Sequence, residues 1–217
     1  MVKNEMFVYK KKTYFADSKG VLRKSGWQKI DGNWYYFKNM SLVKNAFVKK
    51  GKKYGYVDAT GKFTTGWVVV DNSQNLVRYI NPDKKGFVQN ESKWIDGKLY
   101  YFDKNGNMVT GEQVIDGKKY FFLDNGLQLR HVLRQGSDGH VYYYDPKGVQ
   151  AFNGFYDFAG PRQDVRYFDG NGQMYRGLHD MYGTTFYFDE KTGIQAKDKF
   201  IRFADGCTRY FIPDTGN

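Results

Sequence analysis

One short unit recurs along the chain and constrains its fold more than any other feature. The stretch WIDGKLYYFDKNGNMVTG (94–111) is followed closely by VIDGKKYFFLDNGLQLRH (114–131). Each copy carries an apolar pair, an Asp-Gly, a run of aromatics and a polar turn ending in Gly. When the last residue of each aromatic run is taken as the register mark, the marks fall at Phe15, Phe37, Val57, Ile80, Phe102, Phe122, Tyr144, Phe168, Phe188 and Phe211. Successive marks lie 20–24 residues apart, so ten units of roughly 22 residues cover nearly the whole chain. A Gly follows four to six residues after most marks, at Gly20, Gly61, Gly106, Gly126, Gly148, Gly172, Gly193 and Gly216, with Ser41 in its place in the second unit.

Each unit reads as a β-hairpin. Asp-Gly between short apolar and aromatic runs favours a tight turn, because both central residues can take positive φ. The signal occurs at Asp31-Gly32, Asp96-Gly97, Asp116-Gly117, Asp138-Gly139 and Asp205-Gly206. In Tyr100-Tyr101-Phe102, alternation sends Tyr100 and Phe102 to one face and Tyr101 to the other. No stretch keeps a helical period for a useful length. A lone two-stranded hairpin is marginal in water. Stacked hairpins bury their aromatic faces on one another, so that stability becomes a sum of neighbour terms. The expectation is an all-β chain, a single repeat domain over 1–217, forming an elongated β-solenoid of about ten stacked hairpins with a notch wherever two hairpins meet.

Composition agrees with this. Aromatics are 19% of the residues while mean hydropathy is −0.71, so the apolar matter is concentrated in Tyr and Phe. The 25 Gly suit many tight turns. The formal charge of +11 comes from scattered Lys and Arg, densest at Lys10-Lys11-Lys12, and reads as a solvated surface or a weak attraction to polyanions. No nucleic-acid-binding pattern is present, and a nucleic-acid partner is not expected. The single Cys207 allows no internal disulfide, His131, His140 and His179 have no metal-ligand spacing, and neither metal nor cofactor is expected. No apolar run reaches membrane-spanning length. No signal peptide opens the sequence, and repeat-like sequence begins directly after Met1, which suggests a piece of a longer protein.

The stretches GWQKIDGNWYYF (26–37) and GKLYYFDKNGNMVTG (97–111) resemble the cell-wall-binding and choline-binding repeat superfamily. The later units are similar to the glucan-binding repeats of glucansucrases, through YYYDPKGVQAFNGFYDFAGPRQDVRYFDGNGQMYRGL and FYFDEKTGIQAKDKFIRFADGCTRYFIPDTGN. The resemblance covers about the whole chain. It implies a non-catalytic module, an accessory of a glucansucrase secreted by or held at the surface of a Gram-positive bacterium. It also implies a monomer that binds α-glucan of the dextran or isomalto-oligosaccharide type between hairpins, with bacterial cell-wall polymers as a further partner.

Glucan-binding repeats of this kind carry a stacking aromatic and a Gln-x-Lys motif. Gln195-Ala196-Lys197 matches that motif, with Tyr187 before it and Tyr210 after it as the flanking rings. Gln128-Leu129-Arg130 is an altered copy flanked by Phe121 and Tyr143. Leu42-Val43-Lys44 and Val21-Leu22-Arg23 occupy the corresponding place in early units and lack the Gln. A sugar ring offers an apolar C–H face to an aromatic ring and hydroxyls to Gln, which donates and accepts, and to Lys, which donates. Two residues two apart in an extended segment point the same way.

Two other classes compete with glucan binding. Choline or teichoic-acid anchoring uses boxes of Trp and Tyr around a quaternary ammonium. The chain has only Trp27, Trp34, Trp67 and Trp94, all in its first half. Clostridial toxin repeats are a sugar-binding variant of this reading. Catalysis has carboxylates available, but Asp31, Asp96, Asp103, Asp116, Asp138, Asp169 and Asp189 recur at turn positions, which is turn chemistry. No nucleophile motif, phosphate loop or metal cluster accompanies them.

Overall fold

The computed structural model describes residues 1–71, 76–81, 85–160 and 164–212. Gly216 lies outside the described residues. Among these residues every regular element is a strand, and the strands pair as ten antiparallel hairpins. The chain divides into two compact units, Met1–Val109 and Thr110–Asn217.

The first unit holds Glu5–Tyr9 with Lys12–Ala16, Gly26–Ile30 with Asn33–Lys38, Ala46–Lys50 with Lys53–Val57, Trp67–Asp71 with Leu76–Tyr79, and Glu91–Ile95 with Lys98–Phe102. The second holds the sixth to tenth hairpins: Gly111–Ile115 with Lys118–Phe122, Val132–Gln135 with Val141–Tyr144, Gly154–Asp157 with Val165–Phe168, Gly177–Met181 with Thr184–Phe188, and Lys199–Arg202 with Thr208–Phe211.

The ten register marks are among the most deeply buried residues of the core. None of them, from Phe15 to Phe211, is more than 4% exposed. In the ninth hairpin the pleat alternates, with Phe186 and Phe188 buried and Thr185 exposed, whereas all four residues of Val165–Phe168 are buried.

A third short segment in the first nine repeats does what a bare hairpin cannot. Six or seven residues past the mark the chain turns back and pairs with it, as in Phe102 with Met108, Phe122 with Gln128, Tyr144 with Gln150, Phe168 with Met174 and Phe188 with Gln195. The same segment also bonds the hairpin before. The Met108 N–H donates to the Val77 carbonyl (2.7 Å), Gln150 to Lys119 (2.9 Å), Met174 to Val141 (2.9 Å) and Gln195 to Val165 (2.8 Å). Within each unit, successive hairpins are thus joined by main-chain bonds as well as by rings.

The Asp-Gly turns follow two recipes. At Asp31-Gly32, Asp96-Gly97 and Asp116-Gly117 both residues have positive φ, as the two-residue turn demands. At Asp138-Gly139 and Asp205-Gly206 only the Gly does, which departs from the expectation drawn from the dipeptide. There the ladders stop at Gln135–Val141 and Arg202–Thr208, leaving five-residue loops. In these loops the Asp carboxylate accepts a backbone N–H two residues on, from His140 (3.1 Å) and Cys207 (2.8 Å).

The other recurrent Asp residues also build turns. Asp103 Oδ1 accepts the N–H groups of Asn105 and Asn107, both at 2.8 Å, and Asp169 Oδ1 those of Asn171 and Gln173, also at 2.8 Å. Repeats also enter their hairpins through a left-handed residue: Asn4 (φ 51°), Asn45 (48°), Asn90 (50°), His131 (49°), Asn153 (42°) and Asp198 (50°) do this where others use Gly.

Two expected outcomes test this core. Phe168, 0% exposed, should cost about 3–5 kcal/mol on replacement by Ala, through lost burial and the cavity left behind. Val114→Ala, at a position 65% exposed, should change stability by less than about 0.5 kcal/mol. Denaturant titration of each variant reads both.

Candidate functional site

The two constellations predicted from the sequence are placed differently by the fold. Gln195 is 7% exposed and lies in the ladder between its own hairpin, at Phe188, and the hairpin before, at Val165. It therefore does not sit between its own hairpin and the following one. Both predicted rings are tied to this segment all the same. The Tyr187 carbonyl accepts the Ala196 N–H (2.8 Å), and the Tyr210 hydroxyl donates to Asp198 Oδ1 (2.6 Å). Lys197 is half-buried. The rings themselves turn to different neighbours. Tyr187 packs on Phe203 and Phe211, with centroids 5.5 and 5.7 Å away, while Tyr210 is exposed and packs on Phe200 at 4.8 Å. The Tyr210–Asp198 bond also has a counterpart in another repeat, where Tyr101 donates to Asn90 (3.0 Å).

In the second constellation, Gln128 is buried at 7% exposure and Arg130 donates through Nε and a terminal nitrogen to the Pro146 carbonyl at 2.9 and 2.6 Å. Tyr143 is 5% exposed, inside a cluster with Ala151, Phe168 and Met174. Phe121 faces elsewhere, toward Tyr144 and Arg134. The Gln position has a packing reason of its own. A Cβ on Gly148 would stand 2.8 Å from the Gln128 amide, and one on Gly172 would stand 2.3 Å from that of Gln150. The Gln side chain therefore lies under the glycine of the next turn. Leu42 does the same beneath Gly61, and Met174 beneath Gly193. In the first repeat Leu22, rather than Val21, holds this place, paired with Ala16. Gln150-Ala151-Phe152 is a further copy that the motif search passed over, because Phe stands where Lys was sought.

An open pocket of about 230 Å³ lies between the sixth and seventh hairpins. Phe121 and Tyr144 form its aromatic wall, and Glu112, Arg134, Ser137, Asp138 and Tyr142 supply polar groups. The Arg134 guanidinium lies over the Phe121 ring, 3.7 Å from its centroid. The Tyr142 hydroxyl donates to Asp138 Oδ2 at 2.5 Å. That bond, with the His140 N–H, holds the Asp138 carboxyl below its usual range and raises the Tyr142 phenol. Burial pushes Tyr144 up to about 12. The sequence pointed to Phe121 alone. The polar groups come from a loop and a neighbouring hairpin that only the stacking brings together. Among the described residues no group of three or more His, Cys, Asp or Glu could hold a metal.

Comparison with known proteins fits this geometry. The family described as "Choline-binding repeat" matches residues 109–155 and 175–217, and the "Putative cell wall binding repeat" matches 25–39 and 85–108. Over these residues the chain matches choline-binding and cell-wall-binding repeats. These repeats are 31% identical over 203 residues to Glucosyltransferase-S of Streptococcus downei, covering 87% of this chain and 14% of that protein. They are 45% identical over 105 residues to Glucosyltransferase-I of the same species, covering 48% of this chain and 6% of that one. The chain thus spans a small part of those relatives. In fold, CbpJ of Streptococcus pneumoniae superposes with a TM-score of 0.67 at 22% identity, over 94% of this chain and 75% of that one. The choline-binding repeats here are all-β hairpin arrays, and no helix among the described residues is long and apolar enough to cross a membrane.

The Tyr142–Asp138 bond gives a pH prediction. A carboxyl whose folded pKa is lowered contributes stability that is present above its unfolded pKa of about 3.9 and lost as pH falls through the folded value. Tyr142→Phe should move the Asp138 titration upward, toward that ordinary value. Carboxyl-carbon NMR titration of both proteins measures the shift.

Proposed function

We propose that this chain is a non-catalytic carbohydrate-binding module for α-glucan of the dextran or isomalto-oligosaccharide type, accessory to a glucansucrase. The observation that carries this reading is the 45% identity over 105 residues to a streptococcal glucosyltransferase. The chemistry between the sixth and seventh hairpins supports it. The half-buried Phe121 ring, with Arg134 over one face, offers its remaining apolar surface to the C–H groups of a sugar, while Glu112 and Asp138 accept from its hydroxyls and Arg134 donates to them. A junction with these groups favours the Phe121 pocket over the segment around Gln195, whose side chain is buried. Lys197 and Tyr210 are a second, weaker contact for a long polymer, and two such contacts raise the effective concentration of each. The module works as a monomer, secreted or at the surface of a Gram-positive cell. We further infer that its hairpins stack as one elongated β-solenoid. The support is the unbroken 20–24-residue spacing of the marks, and small-angle scattering giving a compact sphere would overturn it.

Choline or teichoic-acid binding is the second reading, favoured by the family description. Against it, the chain's own Lys50 ammonium lies 4.0 Å over the Trp34 ring and 5.9 Å over that of Trp27, where a quaternary ammonium would bind.

Affinity electrophoresis through gels holding dextran, starch, mutan or no polymer tests the proposal, with a choline column as control. Retention by dextran should persist from about 0.1 to 1 M salt, although the screening length drops from ~10 to ~3 Å. Steep loss over that range would assign the binding to the +11 charge instead. Phe121→Ala should weaken binding roughly tenfold, the scale of one stacked ring. Gln195→Met, which copies the shape found at Met174, combined with Lys197→Ala should cost less. The reverse order would move the main site to the Gln195 segment.

A further inference from the structure

The seventh, eighth and tenth hairpins share one plan. Each has a four-residue first strand whose opening residue faces the mark: Val132 faces Tyr144, Gly154 faces Phe168 and Lys199 faces Phe211. The residue directly after that strand is Gly136, Phe158 or Phe203. In all three its N–H donates across the loop, to His140 (2.8 Å), Asp164 (2.9 Å) or Cys207 (2.8 Å). The seventh and tenth hairpins also share a five-residue loop, whereas in the eighth seven residues separate Asp157 from Val165.

The side chain directly after the first strand decides what covers the ring of the preceding repeat. Phe158 lies 4.4 Å from Tyr143, and Phe203 lies 5.5 Å from Tyr187. Each Phe is in turn covered by an Arg from the returning strand, Arg166 and Arg209, both 4.7 Å from the ring centroid. At the seventh hairpin the pair is Gly136 with Tyr142. No ring reaches Phe121 from this position; the Arg134 guanidinium lies over one face of it, and the open pocket of about 230 Å³ stands beside the pair. Tyr142 also holds the Asp138 carboxylate in the same manner as Arg209 meets Asp205, 3.6 Å away.

We propose that Gly136 is the specificity-determining residue of the glucan site: glycine there leaves the junction open to one glucosyl ring, and Phe at the same position closes the junctions at Tyr143 and Tyr187. The proposal rests on the carbohydrate-binding reading. The pocket is below the roughly 300–1,000 Å³ usual for drug-sized ligands, which suits a single ring of a chain. Gly136 is not required by its φ, which lies outside the left-handed region. It is required by close approach. A Cβ there would stand 2.5 Å from Asp138 Oδ1 and 2.8 Å from the Tyr142 ring. The Tyr142–Asp138 bond and the glycine therefore go together, as the Phe and Arg do elsewhere.

The test transplants the tenth hairpin's pair into the seventh. Gly136→Phe with Tyr142→Arg replaces open by closed chemistry on a backbone already known to hold it. Titration calorimetry with isomaltooligosaccharides should show at least a tenfold loss of affinity for the double variant, whose melting curve is recorded alongside to show that it is folded once the Asp138 side chain has moved aside for the new Cβ. Phe203→Gly with Arg209→Tyr is the opposite exchange and should add a second binding equivalent. If the parent binds and the closed variant, shown to be folded, binds equally well, the gate is overturned and the carbohydrate reading stands. If the closed variant does not fold, the opened variant decides, and an unchanged stoichiometry overturns the gate. If the parent binds no α-glucan by the same titration, the carbohydrate reading falls and the gate with it.

Discussion

Everything in this molecule depends on one buried side chain per repeat and the backbone pairing around it. A hairpin of four or five residues a side has too little apolar surface to stand alone. Here the ring or aliphatic group at the end of its second strand is sealed on three sides. Phe188 is held by its own hairpin partner Gly177, by the returning residue Gln195 and by rings such as Tyr175 and Phe186. Gln195 in turn bonds the preceding hairpin. Ring burial and main-chain bonding between repeats are thus a single arrangement. That explains how a chain of mean hydropathy −0.71 can seal ten marks, with other buried residues such as Ile95, Tyr143 and Phe186 packed around them.

The ten marks were legible in the sequence because burial leaves a chemical trace: only aromatic or aliphatic residues stand at Phe15 through Phe211. The tight turns at Asp31, Asp96 and Asp116 were legible for a similar reason, since few dipeptides tolerate two positive φ values. The five-residue loops at Asp138 and Asp205 were not. The same dipeptide serves there as a carboxylate cap, and the ladder length that decides between the two uses depends on cross-strand packing. The left-handed entry residues escaped notice because Asn, His, Asp and Gly share a conformation rather than a chemistry.

The candidate site was the least legible part. Gln195 and Gln128 looked like ligand donors beside aromatic residues, yet both side chains are buried. The sequence holds the spacing of a motif but not the direction in which its segment pairs, and this segment pairs backward, toward Val165. Tyr143 and Tyr144 are adjacent in sequence and point to opposite faces, so picking the wrong one of the two moves a predicted wall from one junction to the next. Phe121 was recoverable from its flanking position. Arg134, Asp138 and Tyr142 were not, because nothing local ties them to Phe121.

The backward pairing of the third segment also bears on how the chain reaches its native state. Strand partners within a hairpin are a few residues apart, and the bonds between hairpins reach back only from 150 to 119, 174 to 141 and 195 to 165. Loop closure over such distances is entropically cheap, and chains dominated by local contacts fold fast. Each repeat completes the one just synthesised and leaves an unfinished edge for the next. Assembly can therefore follow the order of translation or secretion, with the newest repeat as the only unsealed surface.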